Sequence, residues 1–298
     1  MKEKTTLAKK LKGKQIGLHI CFIILACITI YPFLLLVAIS LSKESDIYTY
    51  GYRLIPKAID FSAYKYLSKN SYSIVQGYKV TILFSVISMV LVTFFNALCA
   101  YPLSRKEYKY KKAISFYLYF TMLFGGGLVP TYILNAKWLH LNDSILIYIL
   151  PSIIGAWNVF VLRTFIQSLP EEMYESVVVD GGDEYCYFFR FVIPLIKPAL
   201  ATIALTTFLN KWNDWYTALI YIERSDLRSL QYYLQEILQN LELLRNDPNN
   251  SQFLTADEVP GETVRMAMVV VAAGPALVIF PFFQKYFVRG IAVGSVKG

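Results

Sequence analysis

The second long apolar stretch of this chain decides its fold: residues 80–103 have the sequence VTILFSVISMVLVTFFNALCAYPL. These 24 residues include no Asp, Glu, Lys or Arg. As a helix they would extend about 36 Å, which is enough to cross the roughly 30 Å of hydrocarbon in a bilayer. Because lipid offers no water to unpaired backbone groups, the stretch predicts a transmembrane helix.

Other apolar stretches of similar length occur along the whole chain. Together they predict an all-α, polytopic membrane protein with six transmembrane helices, since the alternating pattern of a membrane β-barrel is not seen. The composition agrees, because 56% of the 298 residues are hydrophobic and only 17% are charged, which is too apolar for an ordinary soluble domain. The predicted spans are residues 16–41, 80–103, 113–130, 144–166, 199–222 and 266–287.

Basic residues cluster before the first span and after the second, and they predict how the chain is oriented. Cytoplasmic segments carry the excess of Lys and Arg, so residues 1–15 and 288–298 are predicted to be cytoplasmic tails. The segments 42–79 and 223–265 are then long outer loops. The net charge of +8 is explained by this distribution, and we expect no nucleic-acid partner. The clustered residues are Lys2, Lys4, Lys9, Lys10, Lys12, Lys14, Arg105, Lys106, Lys109, Lys111 and Lys112.

The second outer loop carries leucines at helical spacing, followed by a turn signal at residues 247–251, DPNNS. The loop therefore predicts a partly folded cap. Two interpretations stay open: a surface helix packed on the span ends, or a docking element for an external partner. The leucines are Leu230, Leu234, Leu238 and Leu241.

Three consecutive glycines, Gly125 to Gly127, are followed by Pro130 and interrupt or end the third span. Irregular backbone at membrane depth is tolerated where protein or a water-filled cavity satisfies it, so a lined pathway is one interpretation. Close helix packing through small residues is the other interpretation.

The cytoplasmic loop between the fourth and fifth spans predicts two short helices joined by a tight turn. Ser168 and Glu171 fit a capping box at the start of the first helix. Gly181 and Gly182 supply its end and the turn, after which Asp183 begins the second helix.

This loop resembles the EAA signature of type I permeases of ATP-binding-cassette (ABC) importers. The signature is Glu-Ala-Ala, three residues, Gly, nine residues, then apolar, any, apolar and Pro. Glu175, Gly181 and Pro194 stand at this spacing, whereas Ser176 and Val177 replace the two alanines. The apolar positions before the proline hold Phe191 and Ile193.

The resemblance covers nearly the whole chain. Four stretches are similar to sugar permeases of the maltose-importer type: residues 100–105 (AYPLSR), 212–215 (WNDW), 284–287 (QKYF) and 294–298 (GSVKG). Residues 125–132 (GGGLVPTY) resemble the branch that imports larger oligosaccharides.

The resemblance implies the type I ABC importer permease fold and a permease subunit for oligosaccharides or other carbohydrates in the bacterial plasma (inner) membrane. It implies a second permease, two ATPase subunits or domains, and an extracellular or periplasmic sugar-binding protein as partners. The cytoplasmic segment 168–194 would couple this chain to the ATPase, and the tail 288–298 would also contact it. The residues implied in coupling are Glu171, Glu172, Glu175, Asp180, Gly181, Gly182 and Pro194.

ATP hydrolysis is expected to belong to another chain. The sequence contains no G-x-x-x-x-G-K-[ST] phosphate loop, so the partner ATPase would bind and hydrolyse ATP with Mg²⁺. We expect this chain to bind no cofactor or metal and to catalyse no covalent chemistry.

Polar and aromatic residues of the fourth and fifth spans are candidates for the substrate path. Lys211 and Asp214 are three residues apart, and an unpaired charge at mid-membrane costs about 2.5–3.5 kcal/mol, so we expect them to pair. The aromatic and amide groups would either contact sugar rings, anchor the interface or pack helices. The candidates are Trp157, Asn158, Lys211, Trp212, Asn213, Asp214 and Trp215.

Two other functions stay open at this level. An ion-coupled secondary sugar carrier would show acidic or histidine relays inside its spans, and Lys211 and Asp214 are the only strong candidates. A non-transporting membrane anchor or sensor would not need the EAA spacing.

Overall fold

A computed structural model of the chain describes residues 2–69, 71–246 and 261–294. Within these ranges every regular element is helical, and extended backbone pairs only in an isolated bridge between Ser42 and Ile59. The predicted turn at 247–251 and the end of the C-terminal tail, 295–298, lie outside the described residues.

The α-helices are numbered here in chain order. They are α1 (Lys2–Ser40), α2 (Glu44–Tyr50), α3 (Ser62–Lys69), α4 (Ser71–Ser104), α5 (Lys111–Leu123), α6 (Leu128–Ile133), α7 (Ala156–Gln167), α8 (Glu172–Val179), α9 (Glu184–Tyr187), α10 (Ile193–Leu195), α11 (Lys197–Trp212), α12 (Tyr216–Tyr221), α13 (Leu230–Asn246) and α14 (Glu262–Gly294). Short π-helical turns cover Leu134–Trp138 and Phe188–Val192, and 3₁₀ turns cover Ile145–Tyr148, Leu150–Ser152 and Ser225–Leu227.

Three helices in the described part of the chain are long and apolar enough to cross a membrane, and three further spans are bent. The single helices cover Gly17–Ser40, Ser71–Ser104 and Glu262–Gln284. The bent pairs are Lys111–Leu123 with Leu128–Trp138 (116°), Ile145–Ser152 with Ala156–Gln167 (49°), and Glu184–Leu195 with Lys197–Trp212 (74°). Counting each bent pair as one span gives up to six, in agreement with the predicted all-α, polytopic class.

Prolines mark two of the bends. In the fourth span, Pro151 stands at the start of a 3₁₀ turn and Gly155 is extended, so the predicted single helix over 144–166 is interrupted. In the fifth, Pro194 and Pro198 stand in the first turns of α10 and α11, where the missing backbone N–H is tolerated.

Two predicted boundaries differ from the structure. The second span begins at Ser71 rather than residue 80, which shortens the preceding loop. The fifth predicted span, 199–222, is not one helix, because α11 ends at Trp212 and α12 begins at Tyr216. The carboxylate of Asp214 accepts a hydrogen bond from the backbone N–H of Thr217 (3.0 Å), which caps the new helix.

The structure supports the packed interpretation of α13. Leu230 and Leu234 are buried, and the backbone N–H of Leu230 donates to Oγ1 of Thr81 at 2.9 Å. A Cβ on Gly77 would lie 3.0 Å from the Cα of Leu230. Glycine at this position of α4 therefore allows the two backbones to approach closely.

Contacts divide the chain into two compact units, Met1–Ser71 with Ile237–Ala273, and Tyr72–Glu236 with Gly274–Gly298. In the second unit, one buried cluster combines α4, α7 and α8 through Leu103, Leu162 and Val177. The short helix α8 is thereby attached to the interior of the membrane domain.

In the first unit, a buried glutamate caps the last long helix. The Glu44 carboxylate is 2% exposed and accepts hydrogen bonds from the backbone N–H groups of Gly261 (3.0 Å), Glu262 (2.9 Å) and Thr263 (2.9 Å). The Thr263 hydroxyl donates a fourth bond of 2.7 Å. These are the N–H groups that a helix leaves unpaired at its start, where the helix dipole also favours a negative charge.

We predict that Glu44→Ala destabilises the protein, because it removes a charged acceptor from four donors. Hydrogen bonds to a charged group contribute about 1.5–3 kcal/mol net, so a fall of several degrees in thermal unfolding of the detergent-solubilised chain is expected. The matched control is Glu242→Ala, since Glu242 is 59% exposed and forms a surface pair with Arg265 (2.9 Å). Equal melting temperatures for the two variants would contradict this role.

Candidate functional site

The helix α8 starts without the predicted capping box. The Ser168 hydroxyl donates back to the carbonyl of Phe165 (2.7 Å), and Glu171 makes no side-chain cap bond. Ser168 has helical backbone angles, φ −80° and ψ −7°, because it ends α7. An N-cap residue needs extended backbone, so Ser168 cannot be the N-cap of α8.

The predicted glycine stop is confirmed. Gly181 has φ +79°, a conformation that costs other residues strain. Its backbone N–H donates to the carbonyl of Val178 (3.0 Å), and that of Gly182 donates to the carbonyl of Val177 (2.8 Å). This is a Schellman motif. A Cβ on Gly182 would lie 2.5 Å from Cγ1 of Val177, so the turn needs glycine at both positions.

The second helix of the segment begins as predicted at Asp183, whose carboxylate accepts a hydrogen bond from the backbone N–H of Cys186 (2.7 Å). The short helix α9 continues into a π-helical turn and then α10. Pro194 is exposed, while Phe191 and Ile193 pack against the buried cluster that holds α8.

One face of α8 is packed and the other is open. Val177 is 5% exposed, whereas Val178 is 49% and Val179 is 85% exposed. Acidic side chains surround this exposed apolar surface. They are Glu171, Glu172, Glu175 and Asp180, all of them exposed.

Glu184 joins α8 and α9 to the end of α4. The hydroxyl of Tyr101 donates to one carboxylate oxygen of Glu184, and the hydroxyl of Tyr174 donates to the other at 2.9 Å. The Nε of Arg105 lies 3.8 Å from the same carboxylate, and its guanidinium carbon is 3.4 Å from the ring centroid of Tyr174. The hydrogen bond to Glu184 raises the pKa of Tyr174.

A second link runs between Lys106 and Glu171, whose ammonium and carboxylate form a hydrogen-bonded ion pair at the surface. This bond raises the pKa of Lys106 and lowers the pKa of Glu171. Sequence reasoning used Lys106 only for orientation, named Arg105 for orientation and in the stretch 100–105, and missed Tyr174 and Glu184. The resemblance at residues 100–105 was the available signal that this end of α4 matters.

A cavity of about 380 Å³ lies among α4, the broken fourth span and the end of α11. Its volume is within the roughly 300–1,000 Å³ of typical ligand sites. Three predicted path residues meet at it: Asn158, Lys211 and Asp214. The other lining residues are Val92, Ser152, Ile154, Gly155, Thr207 and Asn210.

Asn96 of α4 supports the wall of this cavity. Its side chain is fully buried and donates to the carbonyls of Ile153 (2.7 Å) and Val92 (2.6 Å). Its carbonyl oxygen accepts from the backbone N–H of Gly155 (2.9 Å). Asn96 thus satisfies the backbone where the fourth span is broken, as membrane depth requires. Sequence reasoning did not find it.

The ion pair predicted between Lys211 and Asp214 is not formed. Among the described residues, no carboxylate oxygen lies within 4.0 Å of the Lys211 ammonium. The Asp214 carboxylate instead accepts from the N–H (3.0 Å) and hydroxyl (2.8 Å) of Thr217. Helix α11 ends at Trp212, before Asp214, and Asp214 bonds to Thr217 of α12. Lys211 and Asp214 are therefore not one helical turn apart, as the prediction assumed.

The other predicted path residues do not line the cavity. Trp212 is 1% exposed and stacks on Phe208, with ring centroids 5.8 Å apart, so it belongs to the core. Asn213 donates to the carbonyl of Leu209 (2.9 Å) within its own helix turn. Trp157 and Trp215 are exposed at the surface of the chain.

The predicted interruption at Gly125 to Gly127 is confirmed, since the chain bends by 116° there. Gly127 has φ +82°, which favours glycine. A Cβ on Gly125 or Gly127 would meet nothing within 4 Å in the described chain. Close helix packing inside this chain therefore does not explain these glycines.

Comparisons with known proteins agree with this architecture. Residues 16–293 match the family described as "Binding-protein-dependent transport system inner membrane component". The chain is 34% identical to the polygalacturonan/rhamnogalacturonan transport system permease protein YtcP of Bacillus subtilis, over 92% of this chain and 94% of YtcP. It is 28% identical to the arabinooligosaccharides transport system permease protein AraQ of B. subtilis, over 95% and 96% of the two chains.

The fold is also found in a solved structure, that of a bacterial ABC transporter involved in the import of the acidic polysaccharide alginate. The TM-score is 0.75 at 28% identity, and the match covers 91% of this chain and 95% of the other.

The fold and these matches define a multi-pass permease subunit of an ABC importer in the bacterial inner membrane, which is a transport protein and not an enzyme. The chain belongs to the family of binding-protein-dependent transport system inner membrane components. Membership implies a second permease, an ATPase and a binding protein as partners, and gives no support to an ion-coupled carrier.

We predict that Asn96→Ala lowers the thermal stability of the chain, because it leaves the Gly155 N–H and the Ile153 carbonyl without their hydrogen-bond partner inside a membrane span. An unsatisfied buried group costs about 1–3 kcal/mol. Asn213→Ala is the control, since Asn213 is exposed and its main bond lies within its own helix turn. A melting temperature of Asn96→Ala equal to that of the control would show that the break does not depend on Asn96.

Proposed function

We propose that this chain forms half of a translocation path for oligosaccharides or other carbohydrates. The names of the compared proteins support this class, since YtcP, AraQ and the solved transporter are named for polysaccharide or oligosaccharide transport. The cavity supports it as well, because the amides and hydroxyls in its lining are suited to hydrogen bonds with sugar hydroxyls.

We further propose that α8 is the helix that seats in a cleft of the ATPase. The observation that carries this assignment is the exposed surface of Val178 and Val179, surrounded by acidic residues on a helix whose other face is anchored through Val177. An exposed apolar surface with a polar rim is typical of a protein interface. The ATPase binds and hydrolyses ATP with Mg²⁺, and this chain binds no cofactor.

The proposed assembly contains a second permease, two ATPase subunits or domains, and an extracellular or periplasmic sugar-binding protein. Both termini of this chain are cytoplasmic, as the basic residues around the first two spans suggest. The loop that contains α13 is then outside, and its exposed face is available to the binding protein.

Helix α4 provides a mechanical link between the coupling helix and the path. Tyr101 contacts Glu184 of the coupling segment, and Asn96 holds the break at the cavity. The two residues are about 7.5 Å apart along α4, at 1.5 Å per residue. Movement of α8, driven by closure of the ATPases, is therefore transmitted to the cavity wall in alternating access.

We predict that Val179→Asp strongly reduces ATP-driven uptake and leaves the fold intact, because the side chain is 85% exposed. A charge in the apolar centre of the ATPase contact should reduce uptake of a labelled oligosaccharide by about tenfold or more, equivalent to at least about 1.4 kcal/mol. Uptake is measured in cells that carry the whole transporter, with membrane insertion and complex assembly followed by immunoblotting and affinity purification.

The conservative variant Val179→Ile should retain uptake. Native uptake by Val179→Asp would exclude α8 as the coupling helix. Uptake that persists after removal of the ATPase would contradict the ABC mechanism itself.

A further inference from the structure

The charge of the transported saccharide is not given by the family, but the cavity contains a feature that bears on it. Lys211 lies in the last turn of α11 and lines the cavity beside the amides of Asn158 and Asn210. It is the one basic residue in a lining that otherwise offers amides, hydroxyls, apolar groups and the carboxylate of Asp214.

The ammonium of Lys211 forms no ion pair within 4.0 Å with an acid in the described chain. Asp214 is the acidic residue in the same lining, but both of its carboxylate oxygens accept hydrogen bonds from Thr217. The carbonyl end of α11 supplies a partial negative charge equivalent to about half an elementary charge. Beyond this partial charge the ammonium has no directly bonded counter-ion in the described chain, and it lies in a predicted span, where charged side chains are costly and usually functional.

We propose that Lys211 binds the anionic group of an acidic saccharide, such as the carboxylate of a uronate, during its passage. This inference rests on the proposed function and refines it from carbohydrate to anionic carbohydrate. An ammonium forms a charge-assisted hydrogen bond with a carboxylate, and the neighbouring amides and hydroxyls then bind the sugar ring. The groups available for the ring are Ser152, Asn158, Thr207 and Asn210.

The experiment compares two probes that differ only in charge. One is a labelled oligogalacturonate trimer, and the other is the same trimer with its carboxylates reduced to alcohols. Transport is measured in proteoliposomes that contain the second permease, the ATPase and saturating binding protein. Because the same binding protein is present in every sample, a difference between variants arises in the permease.

The variants remove or keep the charge. Lys211→Met removes it and retains an unbranched side chain, Lys211→Arg keeps it, and Lys197→Met is the control at the opposite, exposed end of α11. We expect Lys211→Met to reduce transport of the acidic trimer by about tenfold or more, as for the loss of one partner of a charged pair. Transport of the reduced trimer should change less than about twofold, and the other two variants should behave as native protein.

Other outcomes separate the inference from the function on which it rests. If Lys211→Met reduces transport of both trimers equally, Lys211 has a purely structural role and the inference is overturned. The inference is also overturned if Lys211→Met reduces transport of neither trimer. Transport of the neutral trimer alone by the native complex would overturn the inference and leave the carbohydrate function standing. If the assembled native complex hydrolyses ATP and transports neither trimer nor any other oligosaccharide tested, both the proposed function and this inference fail.

Discussion

The rest of this structure depends on one constraint: a backbone group inside lipid has no water to bind, so it must find its partner within protein. Three spans in the described part of the chain are bent, and each bend releases backbone groups from the helical pattern. At the break in the fourth span, the buried side chain of Asn96 accepts a hydrogen bond from the N–H of Gly155 and donates one to the carbonyl of Ile153. This single amide thus satisfies two interrupted backbone groups beside the cavity.

The same helix that carries Asn96 ends in the network around Glu184. One face of the coupling segment is therefore bonded to α4, and α4 in turn holds the wall of the cavity. The connection is made by hydrogen bonds from the hydroxyls of Tyr101 and Tyr174 to Glu184 and by the packing of Arg105 over the ring of Tyr174. Such packed, bonded elements move together, which is what conversion of an ATPase movement into a change at the substrate path requires.

Two apolar surfaces of the chain, on α1 and at Val179, are exposed and suited to contact with lipid or partner proteins. In α1 the side chains of residues 17–34 are exposed, although nearly all of them are apolar, as expected of a helix that meets lipid or another membrane subunit. Val179 is exposed for a different reason, since it lies on a short helix rimmed by carboxylates. In both places the apolar surface is unpacked in the single chain, and burial would come from its partners.

The sequence alone determined the all-helical membrane class, the approximate positions of the spans and the helix-turn-helix spacing of the coupling segment. These features are local: apolar length defines a span, and only glycine suits φ +79° at Gly181. The tertiary structure decided which side chains meet. The partner of Glu44 is Thr263, and Asp214 accepts hydrogen bonds from Thr217 instead of pairing with Lys211, because α11 ends between them. Such contacts depend on bends and on distant residues, which helical spacing cannot describe, so only the folded chain reveals them.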